Sequence, residues 1–111
     1  MINVNVWRNP QKHIVRYTVS GHSNVAPTGK DIVCAAVSVL AQTTIIGLYE
    51  VLGQTPEYSI EDGLLECTIS EALNETQRRE ATLLLETMLL GIHNIQQQYP
   101  DIIVIDDEEV S

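Results

Sequence analysis

The stretch IVCAAVSVLAQTTIIGLYEVL, residues 32–52, decides the fold of this 111-residue chain. Its apolar and small residues recur at helical spacing on one face, which carries Cys34, Val37, Ser38, Ala41, Ile45, Leu48 and Leu52. More aliphatic residues lie around the rest of the cylinder, a pattern typical of a buried helix. Asp31 precedes the stretch as an N-cap candidate, and Gly53 follows it as a stop signal. We therefore expect one long buried helix here.

Shorter elements lie on both sides of this helix. Alternating or short apolar runs predict strands near residues 2–6, 15–19, 58–60, 64–70 and 102–105. Asp62-Gly63 between two of these runs predicts a hairpin. Asn74, with Gln77 three residues later, predicts a capping box at the start of a second helix. The order β-β-α-β-β-α-β indicates an α+β fold, one domain over residues 1–111 with a mostly antiparallel sheet.

Two features of the second half of the chain do not fit the pattern of buried apolar residues. Leu83 and Leu90 lie off the apolar stripe of the second helix, which predicts either deep burial or a dimer contact. The acidic run at residues 106–109 is expected to be a solvated, frayed end.

The net charge of the chain restricts the classes of partner that it can bind. The formal net charge is −9, with 15 acidic residues against 6 Lys and Arg. Such a surface repels nucleic acid and favours a basic partner. The first ten residues carry no apolar core of a signal peptide, and no apolar run is expected to span a membrane. We expect a cytoplasmic protein with no direct contact to nucleic acid or membrane.

The cysteines and histidines show no metal-site spacing. Cys34 and Cys67 lie 33 positions apart, and a Cys-x-x-Cys motif is absent from the sequence. The three histidines are equally scattered. We expect no metal and no disulfide in a cytoplasmic setting.

Cys34 is the candidate nucleophile. Placed in the first turn of the predicted helix, its thiolate is favoured by the helix dipole, and free N–H groups of that turn could hold an oxyanion. A small buried core residue is the alternative, and for Cys67, in mid-strand, that alternative is preferred.

His22 opens the loop that leads to Cys34. It is either an ordinary exposed histidine or the general base that takes the thiol proton and later protonates the leaving amine. Asp31 has two possible roles, as helix cap or as a group that orients the imidazole. Ser38 lies one turn beyond Cys34 and either hydrogen-bonds near the site or packs there.

These residues resemble the ribosomal-processing cysteine protease (Prp) family. Ser20-Gly21-His22 and the block GKDIVCAAVS, residues 29–38, carry the resemblance. It implies that His22 and Cys34 form a catalytic dyad, and that Gly21, Asp31 and Ser38 occupy other motif positions. The loop departs from the family pattern, with Ser23 where alanine is common and NVAPT where glycine and tyrosine often occur.

The resemblance also implies a substrate and an assembly. Family members are bacterial cytoplasmic endopeptidases, typically homodimers. They remove the N-terminal extension of the large-subunit ribosomal protein numbered twenty-seven and need no cofactor. A basic ribosomal protein would suit the acidic surface, with residues 23–30 as a lid over an apolar groove. Two alternatives stay open: a non-catalytic acidic ribosome-assembly factor, and a thiol enzyme that acts on a small molecule.

Overall fold

A computed structural model describes residues 1–21 and 30–110, except for the side chains of Lys30 and Asp31. The elements follow the predicted order: β1 Ile2–Arg8, β2 Ile14–Ser20, α1 Lys30–Ile46, β3 Glu57–Glu61, β4 Leu64–Thr68, α2 Glu75–Gln98 and β5 Ile103–Glu109. A π-helical segment, Gly47–Val51, continues directly from α1. The capping box at Asn74 is confirmed, since Asn74 and Gln77 exchange side-chain to backbone hydrogen bonds of 2.8 and 2.9 Å.

The five strands form one mixed sheet in the order β3-β4-β2-β1-β5. Three neighbouring pairs are antiparallel, and β5 returns parallel to β1. The prediction of a mostly antiparallel α+β fold is therefore confirmed. The parallel pair follows from the topology, because α2 carries the chain back across the sheet before β5 begins.

The core lies between the sheet and the two helices. Val4, Val6 and Tyr17 from the strands are completely buried, as are Val37 and Leu48 on the helical side. The Tyr17 hydroxyl donates a 2.8 Å hydrogen bond to the carbonyl of Ala41, which satisfies its polar atom inside the core and fixes β2 against α1.

Two glycines let the helices approach each other closely. A Cβ atom at Gly91 of α2 would lie 3.1 Å from a methyl group of Leu40. One at Gly47 would lie 3.1 Å from a methyl group of Leu84. Residue numbers rise along one helix as they fall along the other, so α1 and α2 run antiparallel.

The acidic run at residues 106–109 is paired and not frayed, which corrects the prediction. It belongs to β5, whose Asp107 pairs in register with Val6 of β1. Arg8 donates hydrogen bonds of 2.8 Å to Asp107 and 2.8 Å to Glu86 of α2. These carboxylates raise the pKa of the Arg8 guanidinium. The sequence predicted the first half of this strand near residues 102–105, but not its continuation through the acidic run, because the stabilising Arg8 is distant in sequence.

The expectation about apolar runs also needs correction. The segment Ile32–Val51 is long and apolar enough to cross a membrane by length and composition alone. Core helices of soluble proteins pass the same test, and this segment supplies buried residues such as Val33, Ala41 and Ile45 to the core. Its apolar composition is therefore explained in part by packing against the sheet.

Candidate active site

Cys34 lines a cleft of about 210 Å³ between α1 and the ends of four strands, β1 to β4. One wall is the α1 face with Cys34, Ser38 and Gln42, which follow one another at four-residue spacing. The rest is formed by Ile2 of β1, by residues 19–21 at the end of β2, and by residues 60–65 of the β3–β4 hairpin. The Cys34 side chain is partly exposed there and is not sealed beneath the core.

Gly21 occupies a position in the cleft that only glycine fits. Its φ of +77° is in the left-handed region, and an added Cβ would lie 2.5 Å from the carbonyl oxygen of Met1. Its N–H donates a 3.1 Å hydrogen bond to the carbonyl of Gly63 in the hairpin turn. Gly21 thus connects the end of β2 to the β3–β4 hairpin turn. His22 is the next residue of the chain.

His22 lies outside the described residues, as do residues 23–29 and with them most of the predicted lid. The structure therefore places Gly21, Cys34 and Ser38 around one cleft, and says nothing of the imidazole. The chain position of His22, directly after a cleft residue, is the observation that links it to the site.

Asp31 does not precede the helix as its capping role requires. Because α1 begins at Lys30, Asp31 is the second helical residue and its N-cap assignment is wrong. Cys34 is correspondingly the fifth residue of α1, in its second turn and not its first. Its own N–H is in position to bond the carbonyl of residue 30, so the free N–H groups belong to the preceding turn. The dipole argument for the thiolate is weakened, since that effect falls off within the first turn.

Ser38 and Gln42 form a polar pair along the cleft wall. The Gln42 side-chain amide donates a 3.2 Å hydrogen bond to the Ser38 hydroxyl, one and two turns below Cys34. The sequence predicts Ser38 near the site, and the structure adds Gln42 to the same wall of the cleft. The four-residue spacing from Cys34 could have revealed it.

The hairpin wall was also missed. Ile60 contributes apolar surface, and Glu61 and Asp62 are the charged groups among the described residues that line the cleft. The sequence predicted the Asp62-Gly63 turn, but not that β4 pairs with β2 and brings the turn to Gly21. The described lining of the cleft therefore combines apolar and small polar residues with two acidic ones.

Cys67 is the structural cysteine, as expected. It is fully buried in β4, and burial raises the pKa of its thiol to about 11. The neighbouring Tyr17 hydroxyl lowers the pKa of Cys67 and so opposes part of that shift, while burial raises the pKa of Tyr17 itself. In the described part of the chain, no three His, Cys, Asp or Glu side chains converge where they could hold a metal ion.

Comparison with known proteins identifies the class. A family model described as cysteine protease Prp matches residues 1–104, so the chain is a cysteine protease. It belongs to the Prp family, which confirms the resemblance and decides against a non-catalytic assembly factor.

Individual relatives agree with this assignment. The ribosomal processing cysteine protease Prp of Bacillus subtilis is 29% identical over 103 residues, which cover 91% of this chain and 92% of the relative. A crystal structure of a Streptococcus mutans protein superimposes with a TM-score of 0.88 at 26% identity, covering 99% of this chain and 96% of the other. A crystal structure of Staphylococcus aureus Prp with a covalently linked product peptide superimposes with a TM-score of 0.82 at 25% identity. The match covers 96% of this chain and 99% of the other.

Proposed function

We propose that this protein removes the N-terminal extension of the large-subunit ribosomal protein numbered twenty-seven, with Cys34 as nucleophile and His22 as acid and base. The observation that carries the proposal is the partly exposed Cys34 in a cleft that also contains Gly21, the neighbour of His22. A covalently linked product peptide in the Staphylococcus aureus relative supports covalent chemistry in this family.

The reaction needs two steps at the Cys34 sulfur. The thiol gives its proton to His22, and the thiolate attacks the scissile carbonyl to form a tetrahedral oxyanion. As the C–N bond breaks, the His22 imidazolium protonates the leaving amine and a thioester remains on Cys34. Water then attacks the thioester with His22 as base, releasing the extension as a carboxylic acid and restoring the thiol. No cofactor takes part.

The substrate is argued from charge and from the relatives. The relative of Bacillus subtilis is named as a ribosomal processing protease. Ribosomal proteins are basic because they bind RNA, and a net charge of −9 with Glu61 and Asp62 at the cleft rim favours such a partner. The cytoplasm, where ribosomal proteins are made, is the proposed location, and residues 23–30 remain the proposed lid.

A homodimer is supported by an apolar surface on the outer side of the two helices. Ile32, Val39 and Ile46 of α1 are exposed at seven-residue spacing, and Leu83 and Leu90 of α2 are 67% and 70% exposed. We call these five residues the aliphatic surface. The sequence predicted either deep burial or a dimer contact for Leu83 and Leu90. Deep burial is wrong because both side chains are exposed, and the dimer contact remains the proposal. An apolar patch of this kind commonly marks a protein interface.

The function is tested by incubating the enzyme with the extended ribosomal protein and measuring product masses. Wild type is expected to release the extension at one bond. Cys34→Ala and His22→Ala should lose at least about 1000-fold in rate, because each removes a group that acts in the bond-breaking step. Cys67→Ala is the matched control, since it removes the other thiol away from the cleft. Cleavage at the same bond by Cys34→Ala would overturn the assignment.

A further inference from the structure

The two outer strands of the sheet differ in how well their free edges are protected. In the described part of the chain, β5 and β3 each pair on one side only. The β5 strand ends in Asp106, Asp107, Glu108 and Glu109, and charges of one sign are a common protection against edge pairing. By contrast, β3 (EYSIE) carries acidic residues only at its two ends and pairs with β4 in unbroken register, without a bulge, proline or lysine.

The orientation of the β3 main chain follows from two hydrogen bonds at the ends of β4. Gly21 N–H donates to the carbonyl of Gly63, and Ile69 N–H donates to the carbonyl of Val15, at 3.1 and 2.9 Å. Odd-numbered residues of β4 therefore direct their main-chain groups to β2. Main-chain groups alternate along an antiparallel strand, so even-numbered residues of β4 direct theirs to β3.

The β3 residues that pair with these even-numbered residues of β4 are Glu57, Ser59 and Glu61. Tyr58 and Ile60 consequently turn their N–H and C=O groups away from β4, toward the free edge. Their side chains lie on the helical face, as do those of their partners Cys67 and Leu65. Both side chains are about half exposed, at 52% and 49%.

This edge is rigid and continuous with the cleft. The Tyr49 ring packs edge-on against Tyr58 with centroids 5.7 Å apart, and its hydroxyl donates a 2.6 Å hydrogen bond to the carbonyl of Pro56. These contacts hold the start of β3. At the other end, Ile60 contributes its side chain to the Cys34 cleft and its main chain to the edge.

We propose that the free edge of β3 binds an extended segment of the substrate as a sixth strand, beside the scissile bond held at Cys34. Tyr58 and Ile60 supply the main-chain donors and acceptors, as in other cases of strand addition. Glu57 and Glu61 flank them and favour a segment that carries Lys or Arg. This inference rests on the proposed function and adds a binding mode to it.

The test replaces single main-chain amides of a substrate peptide by esters, which removes one N–H donor at a time. The parent peptide spans the extension and the first residues of the mature ribosomal protein, and esters are placed two or more residues from the cleaved bond. We expect KM to rise about fivefold at two alternate positions on one side of that bond, the effect of one lost hydrogen bond, with kcat unchanged. Esters at the intervening positions should have no effect.

A variant pair tests the same contact from the enzyme. Ile60→Pro removes the outward N–H without affecting the pairing to β4, whereas Ile60→Ala removes only side-chain surface. KM is expected to rise about fivefold more for proline than for alanine. Thermal unfolding checks that both variants fold, and the ester series with wild-type enzyme is independent of that check.

The outcomes separate this inference from the proposed function. Cleavage of the parent peptide with an alternating ester profile supports the sixth strand. Cleavage with a flat profile overturns the sixth strand and leaves the proposed function intact. Absence of cleavage of the parent peptide overturns the proposed function, and the inference about its substrate with it.

Discussion

The two cysteines of this chain differ in their exposure to solvent. Cys34 is partly exposed in the cleft, whereas Cys67 is fully buried with a pKa of about 11. The sequence distinguished them by position alone, one near a helix start and the other in mid-strand. It could not give the helical register of Cys34, because Asp31, a residue type strongly favoured at the N-cap, lies inside α1.

This difference predicts selective alkylation by iodoacetamide. Near pH 8 the folded protein should react at Cys34 at least about tenfold faster than at Cys67, because burial keeps the Cys67 thiol protonated and inaccessible. A raised pKa means that the Cys67 thiolate becomes abundant only as the pH approaches 11. The measurement is a time course of modification by peptide mapping.

Protein unfolded in guanidinium is the control, and there the two rates should become similar. Equal rates in the folded protein would remove the distinction between a reactive and a structural cysteine.

Every strand and helix was predicted in the right order, but features that depend on distant partners, such as the acidic second half of β5, were not. The capping box at Asn74 and the turn at Asp62-Gly63 are local, and the structure contains both. Strand β5 depends on β1 and on Arg8, almost one hundred residues away in sequence. The hairpin wall of the cleft depends on the β2–β4 pairing, which no local pattern encodes.

The aliphatic surface predicts a dimer that a single charge disrupts. Leu90→Glu would bury an unpaired carboxylate in the interface, at a cost of about 3 kcal/mol, so the dimer Kd should rise more than about 100-fold. Sedimentation velocity over a range of concentrations measures this change.

Val104→Glu is the matched control, because Val104 follows the buried Ile103 on β5 and so lies on the sheet face turned away from the helices. A dimer that survives Leu90→Glu, or a wild type that is monomeric at every concentration, would contradict this surface as the interface.

For the molecule as a whole, the net charge of −9 predicts a basic partner, and that prediction remains a proposal. The aliphatic composition indicated a core, and that core positions α1 so that Cys34 faces the strand ends.

The most direct test is to find the residue that carries the acyl group during turnover. Wild-type enzyme is mixed with excess extended peptide and quenched in acid within the first turnover, and the adduct is located by mass spectrometry of proteolytic fragments. The account predicts a thioester that joins the extension to Cys34, absent from Cys34→Ala. An acyl group on Cys67, or full-rate cleavage by Cys34→Ala, would contradict it.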